Sequence, residues 1–283
     1  MSRKGGLGVS AVPRFTGRVA VVTGAGAGLG RALAQQLAAD GAQLALSDVD
    51  AQALAVTASS VRDVGATVRT DLLDVSDPVA VLRYADSVAV AFGRVDLLFN
   101  NAGVLHVGDV LGMELADFGR VMDVNFWGVV NGTKAFLPHL IASGRGHLVN
   151  ISSLFGLVPI PTQSAYVASK FAVRGFTESL RIEMLIAGHP VSVTCVHPGG
   201  VNTGIARNAT RSEVAQPEPH GGRLLRMPPE KAAKIILHGV ARGRPRVLVG
   251  TDAWAVHLLS RLSSNGWQHG LAHAYRRHRT GRP

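Results

Sequence analysis

Tyr166 and Lys170 stand four positions apart in "SAYVASK", a stretch with no other charge. On a helix this spacing puts a phenol and an ammonium on one face, a turn apart. A free phenol has a pKa near 10 and is a poor base at neutral pH. A cation about 5 Å away, at an effective dielectric near 20, is worth roughly 3 kcal/mol, or a little over two pKa units. The pair can therefore exchange protons where a lone tyrosine could not. Taken singly, both are ordinary surface-helix residues, so the proposal needs neighbours. Ser153, thirteen residues before Tyr166, ends an apolar run and could hydrogen-bond a substrate oxygen. Asn125 lies in the helical stretch before that run.

A second constellation lies near the N-terminus. "TGAGAGLG" follows the apolar run "RVAVVTG" directly. It fits G-x-x-x-G-x-G through Gly24, Gly28 and Gly30, with Leu29 where the commoner dinucleotide fingerprint would have its third glycine. Such a turn lets the backbone approach a pyrophosphate at a helix N-terminus. Alone it is a weak signal. Asp48, 18 residues after Gly30 at the end of the next apolar run, adds to it. An acid there accepts ribose hydroxyls and repels a 2′-phosphate, so NAD is expected over NADP. Arg31 is the residue that argues the other way.

These positions need a frame to converge. The short apolar run at 18–24, closed by glycine, reads as a strand buried on both faces, and 42–48, 68–74, 95–103, 146–153, 190–200 and 245–250 read as further strands. Helical stretches alternate with them, a long one over 116–143, bent near Gly128, and another over 162–187 stopped by Gly188 and Pro190. The expected fold is α/β: a doubly wound, Rossmann-like, mostly parallel seven-stranded sheet with helices on both faces, in a single domain. Residues 1–16 read as a flexible leader, 17–250 as the domain, about 204–229 as a lid, and 251–283 as a basic appendage. Ligands of such sheets sit beyond the carboxyl ends of the strands, where Gly28, Asp48, Asn101 and Ser153 are all expected.

Taken together, "TGAGAGLG", "NNAG" (100–103), Asn125, Ser153, Tyr166-x-x-x-Lys170 and "HPGGVNTG" (197–204) resemble the short-chain dehydrogenase/reductase family in order and spacing over about residues 17–250. Two longer stretches, "MDVNFWGVVNGTKAFLPHLIASG" and "SSLFGLVPIPTQSAY", are similar to a lipid-associated actinobacterial branch of it. The resemblance implies Tyr166 as general acid and base, Lys170 on the nicotinamide ribose, Ser153 on the substrate oxygen and Asn125 in a proton relay. It implies adenine contact by Asp74, and cofactor contacts by Asn101, Ala102, Gly103, Pro198, Gly199, Val201 and Thr203. It also implies a homodimer or homotetramer assembled through the helices at 116–143 and 162–187. The expected activity is NAD-dependent interconversion of a secondary alcohol and a ketone.

The substrate is less constrained. Leu154, Phe155, Val158, Pro159 and Ile160 read equally as an apolar pocket wall or as core; as a wall they imply a lipophilic substrate. Composition bounds the rest. The one cysteine, Cys195, excludes an internal disulfide and sits in an apolar run as an inert core residue. Only His269 and His273 make a helical histidine pair, with no acid beside them, so no metal site is expected. "SSLFG" is not a G-x-S-x-G nucleophile elbow. The N-terminus has no apolar signal-peptide core and no run of about 18 apolar residues exists, so a cytoplasmic protein is expected. The net charge of +10 gathers late, with no acid after Asp252. Contact with an anionic membrane surface or with nucleic acid is the corresponding alternative to a solvated tail, as is a dinucleotide-sensing regulator on the same scaffold.

Overall fold

The computed structural model describes residues 14–212, 227–251, 253–254 and 264–279. Seven parallel strands form one sheet: β1 (Val19–Thr23), β2 (Gln43–Asp48), β3 (Val68–Leu72), β4 (Leu97–Asn100), β6 (Gly146–Ile151), β7 (Val191–Pro198) and β9 (Arg246–Val249). Their order is β3-β2-β1-β4-β6-β7-β9. Direction of winding reverses between β1 and β4, which pair through Ala20–Leu97, Val21–Leu98 and Val22–Phe99. Loops leaving two such strands diverge and open a crevice at their carboxyl ends.

Both faces are covered. α1 (Gly28–Ala39), α2 (Ala51–Arg62) and α7 (Pro229–Ala241) lie on one side, packing Leu33, Leu37 and Ile236 against Ala20, Val22 and Leu44. α3 (Pro78–Phe92), α5 (Gly128–Ala142) and α6 (Ser164–Ala187) cover the other through Val88, Phe136 and Leu180. Alternate residues of β1 serve the two cores, which is why the run has no polar positions between Val19 and Val22. Truncating a fully buried side chain such as Leu37 costs about 2–5 kcal/mol.

Element ends follow local chemistry. Asp77 accepts the N–H groups of Val79 and Ala80 to start α3, and Gly188, at φ 66°, ends α6. The long helix expected over 116–143 is instead three pieces: α4 (Leu115–Met122), a π-turn over Asp123–Trp127, and α5. The break lies just before Gly128 because the wider turn delivers Asn125 inward to the backbone of Val104. A small second sheet, β5 (His106–Val107) with β8 (Thr210–Arg211), has no counterpart in the sequence expectations; two-residue strands leave no periodicity to read.

The packed body exceeds the expected 17–250. Phe15 is buried in the core, and its N–H donates to the Asp40 carbonyl. Ala253 is buried against Leu154, Leu157 and Val158. The expected lid divides into a 3-10 turn (Gly204–Ala206), β8, and the first residue of α7 at Pro229. Its middle, 213–226, lies outside the described residues, as do 1–13 of the expected leader and parts of the C-terminal appendage. That appendage contains α8 (Ser264–Arg279).

Candidate active site

The glycine turn is packed too tightly for any other residue. Gly24 and Gly28 have φ of 64° and 51°. A Cβ on Gly24 would lie 2.8 Å from the Ala102 Cα, and one on Gly30 would land on the Gly24 carbonyl oxygen. Leu29 turns its side chain into the core, leaving only its backbone toward the crevice. Asn101 donates from Nδ2 to the Thr23 and Gly24 carbonyls at 2.9 and 3.1 Å. The Ala102 N–H reaches the Thr23 hydroxyl. Asn101 and Ala102 therefore brace the turn from β4.

At the end of β2, Asp48 accepts the Gly26 N–H at 2.8 Å and the Asp50 N–H at 3.0 Å. Arg31 bends inward, donating to the Gly26 carbonyl and, at 3.0 Å, to the Thr57 hydroxyl. The two residues compete for no common partner, and among the described residues no cation pairs with the Asp48 carboxylate. Asp74, beyond β3, is exposed and accepts from the N–H and hydroxyl of Ser76. On the far side, Pro198 ends β7 and the Gly199 N–H donates to the Val249 carbonyl. Val201 is buried in the core, whereas Thr203 abuts Gly28, its Cβ 3.1 Å from where a glycine Cβ would stand. The cradle, closed to side chains and lined by free backbone N–H groups at the start of α1, suits a dinucleotide pyrophosphate.

Asn125, Ser153, Tyr166 and Lys170 come together at the carboxyl end of β4 and β6. The Lys170 ammonium lies 5.6 Å from the Tyr166 ring centroid and donates to the Ile151 carbonyl at 3.0 Å. Burial pushes the amine down to about 8, so at neutral pH it remains mostly charged. Burial also pushes the Tyr166 phenol up, while its hydrogen bond with Ser153 pulls it back. Ser153 Oγ accepts the Phe155 N–H at 3.1 Å, which frees its own proton for the phenol side. Gly103 passes close by: a Cβ there would lie 3.2 Å from Asn125 Oδ1 and 3.5 Å from Lys170 Nζ.

Two supporting residues, His197 and Ser169, lie inside the stretches "HPGGVNTG" and "SAYVASK" but were given no role of their own by the sequence. His197 donates from Nδ1 to the Ser153 carbonyl at 3.0 Å, fixing the end of β6. Burial drives that imidazole down to about 4, so it works neutral. Ser169 accepts from Asn125 Nδ2 at 3.1 Å and donates to the Tyr166 carbonyl. Their partners Asn125 and Ser153 each lie 44 positions away, a separation that leaves no local motif. Of the apolar residues after Ser153, Leu154 and Val158 belong to a buried cluster with Leu248 packed against it; Phe155 and Ile160 are partly buried and Pro159 is exposed. Core wins at the first two positions. Cys195 is buried, and its thiol is pushed up to about 12 by burial.

The profile of the short chain dehydrogenase family matches residues 18–214. SadH of Mycobacterium tuberculosis, which bears an oxidoreductase name, is 55% identical over 91% of this chain and 95% of its own. A short chain dehydrogenase/reductase from Burkholderia phymatum in complex with NAD superposes with a TM-score of 0.81, at 35% identity over 88% of this chain and 94% of its own. A metagenomic short-chain oxidoreductase in complex with NADP gives 0.69, at 31% identity over 83% and 98% of the two chains. The chain therefore belongs to the short-chain dehydrogenase/reductase family of oxidoreductases.

Proposed function

We propose that the protein interconverts a lipophilic secondary alcohol and the corresponding ketone, using NAD in preference to NADP. The observation that carries this reading is the charged Lys170 ammonium beside the Tyr166 ring, with Ser153 on the phenol. A bound nicotinamide supplies the acceptor or donor of hydride. Ser153 orients the substrate oxygen by hydrogen bonding. In oxidation Tyr166 takes the hydroxyl proton as the carbon–hydrogen bond breaks; in reduction it returns that proton to the carbonyl oxygen. A charged ammonium beside the ring would favour the phenolate, opposing the upward push of burial together with the Ser153 hydrogen bond. Asn125, held through Ser169 to the backbone of Tyr166, sits where a proton relay toward Lys170 would pass.

NAD preference rests on Asp48, whose carboxylate would face a 2′-phosphate, and on Arg31 being turned inward. Gly24, Gly28, Gly30 and the Leu29 backbone would hold the pyrophosphate, Asp74 the adenine side, and Gly103, Pro198, Gly199 and Thr203 the nicotinamide side. Trp127, Phe171, Ile182, Leu185 and Ile186 leave apolar surface exposed on the helices expected to join subunits, which supports a homo-oligomer. Among the described residues no helix is long and apolar enough to cross a membrane.

The test is Tyr166→Phe. Turnover of secondary alcohols should vanish while the dissociation constant for NAD stays within about twofold, since the phenol oxygen alone is removed. Near-normal turnover would overturn the assignment.

A further inference from the structure

Beyond Tyr166 the crevice is edged by a small platform that no part of the reaction explains. β5 leaves the Asn101–Val104 stretch and pairs with β8. Next to it, the Gly108 N–H donates to the Thr162 carbonyl at 2.8 Å, four residues before Tyr166. Thr162 itself is held at φ 67°, a left-handed conformation that costs a β-branched residue of order 1–3 kcal/mol and persists only where the surroundings impose it. His106 clamps the platform. Fully buried, it reaches Thr210 Oγ1 from Nδ1 at 2.9 Å and Ser212 Oγ from Nε2 at 3.0 Å. Gly108 leaves no room for a side chain, because a Cβ there would strike the Ser212 hydroxyl.

From this rigid platform projects a turn that is apolar and open to solvent. Leu111 is 100% exposed, Leu115 88% and Val110 72%. The turn is ordered, since the Asp109 carboxylate accepts the Gly112 N–H at 2.9 Å. Isolated exposed leucines are ordinary; three exposed apolar residues within six positions, on the turn that follows the Gly108–Thr162 contact and at the start of α4, need an occupant.

We propose that Val110, Leu111 and Leu115 form an apolar lip that receives the distal hydrocarbon part of the substrate, with His106 as the positioning residue that holds the lip against the crevice. The proposal rests on the alcohol–ketone reading above. Continuity favours substrate as the occupant: the hydrogen-bonded path from Gly108 to Thr162 and into α6 joins the lip to Tyr166.

The experiment compares a series of straight-chain secondary alcohols of increasing length, with NAD, for the parent and for L111D/L115D. Both side chains are exposed, so the double variant should fold. In the parent, kcat/KM should climb with length by up to about fourfold for each methylene that the lip covers. In the variant that climb should flatten, lowering the long-to-short ratio on the order of tenfold through KM, while the NAD dissociation constant stays unchanged. His106→Ala should flatten it likewise, and His106→Gln, which keeps one hydrogen-bonding arm, should restore part of it. An unchanged length profile in L111D/L115D overturns the lip, as does conversion of an oligomer to a smaller species, which would make the turn a subunit contact. Calorimetric binding of the same alcohols to the NAD-loaded protein repeats the comparison without turnover. Failure of every alcohol to react strikes the proposed reaction, whereas length-independent binding strikes the lip alone.

Discussion

Asn125 and Val104 exchange two hydrogen bonds: the Val104 N–H donates to Asn125 Oδ1 at 2.8 Å, and Asn125 Nδ2 donates to the Val104 carbonyl at 2.9 Å. A side-chain amide thus imitates a strand partner for the backbone leaving β4. The π-turn in the helix exists to make this reach, and it sets Gly103 beside Lys170. Replacing Asn125 by leucine keeps the volume but leaves the partly buried Val104 N–H and carbonyl without this partner. Stability should fall by about 2–4 kcal/mol in urea titration, with kcat falling as well.

Lys170 should be a residue that the fold would be better without. Its amine sits at about 8 when folded against about 10.5 when unfolded, so between those values the unfolded chain binds more protons and stability rises with pH. Below about pH 8 the full penalty, roughly 3 kcal/mol, is present. Lys170→Met removes it and forfeits about 1 kcal/mol for the unpaired Ile151 carbonyl. At pH 7 the variant should therefore be more stable by about 2 kcal/mol yet catalytically dead. The advantage should shrink as pH climbs toward about 10.5, readable in denaturation midpoints taken at three pH values.

Asp48→Ala removes the acceptor for two backbone N–H groups and the charge at the crevice edge. The KM for NAD should rise roughly tenfold, equivalent to about 1.4 kcal/mol, while that for NADP should rise less or fall. Equal rises for both cofactors would show that the carboxylate only shapes the loop.

Two glycines should respond with opposite sign. Gly30→Ala drives a methyl into the Gly24 carbonyl and should destroy dinucleotide binding by calorimetry. Gly175, inside α6, has nothing within 4 Å of a would-be Cβ, so Gly175→Ala should raise stability by about 0.5–1 kcal/mol and leave NAD binding alone.

Much of this was legible from residues in order. Short, mostly apolar runs marked the seven strands of the main sheet, although β3 is polar and half exposed, and β6 and β7 bury His147, Asn150, Thr194 and His197 with hydrogen-bond partners. Asp48 at the end of β2, the glycine turn and the Tyr166–Lys170 pair were readable because their residue types stand out at a strand end or one helical turn apart. Leu154 and Val158 were ambiguous, since an apolar side chain is equally suited to a pocket wall and to a core.

Three-dimensional packing decided the rest. His197 opens the stretch "HPGGVNTG", but nothing local shows that it reaches Ser153, 44 positions away, and nothing local marks His106, 104 from Thr210. Their partners arrive from distant strands whose order only the sheet determines. The π-turn likewise spends one extra residue to satisfy Val104 across the crevice. Periodicity reports which face a residue occupies, whereas hydrogen bonding across the chain reports what that face was built to hold.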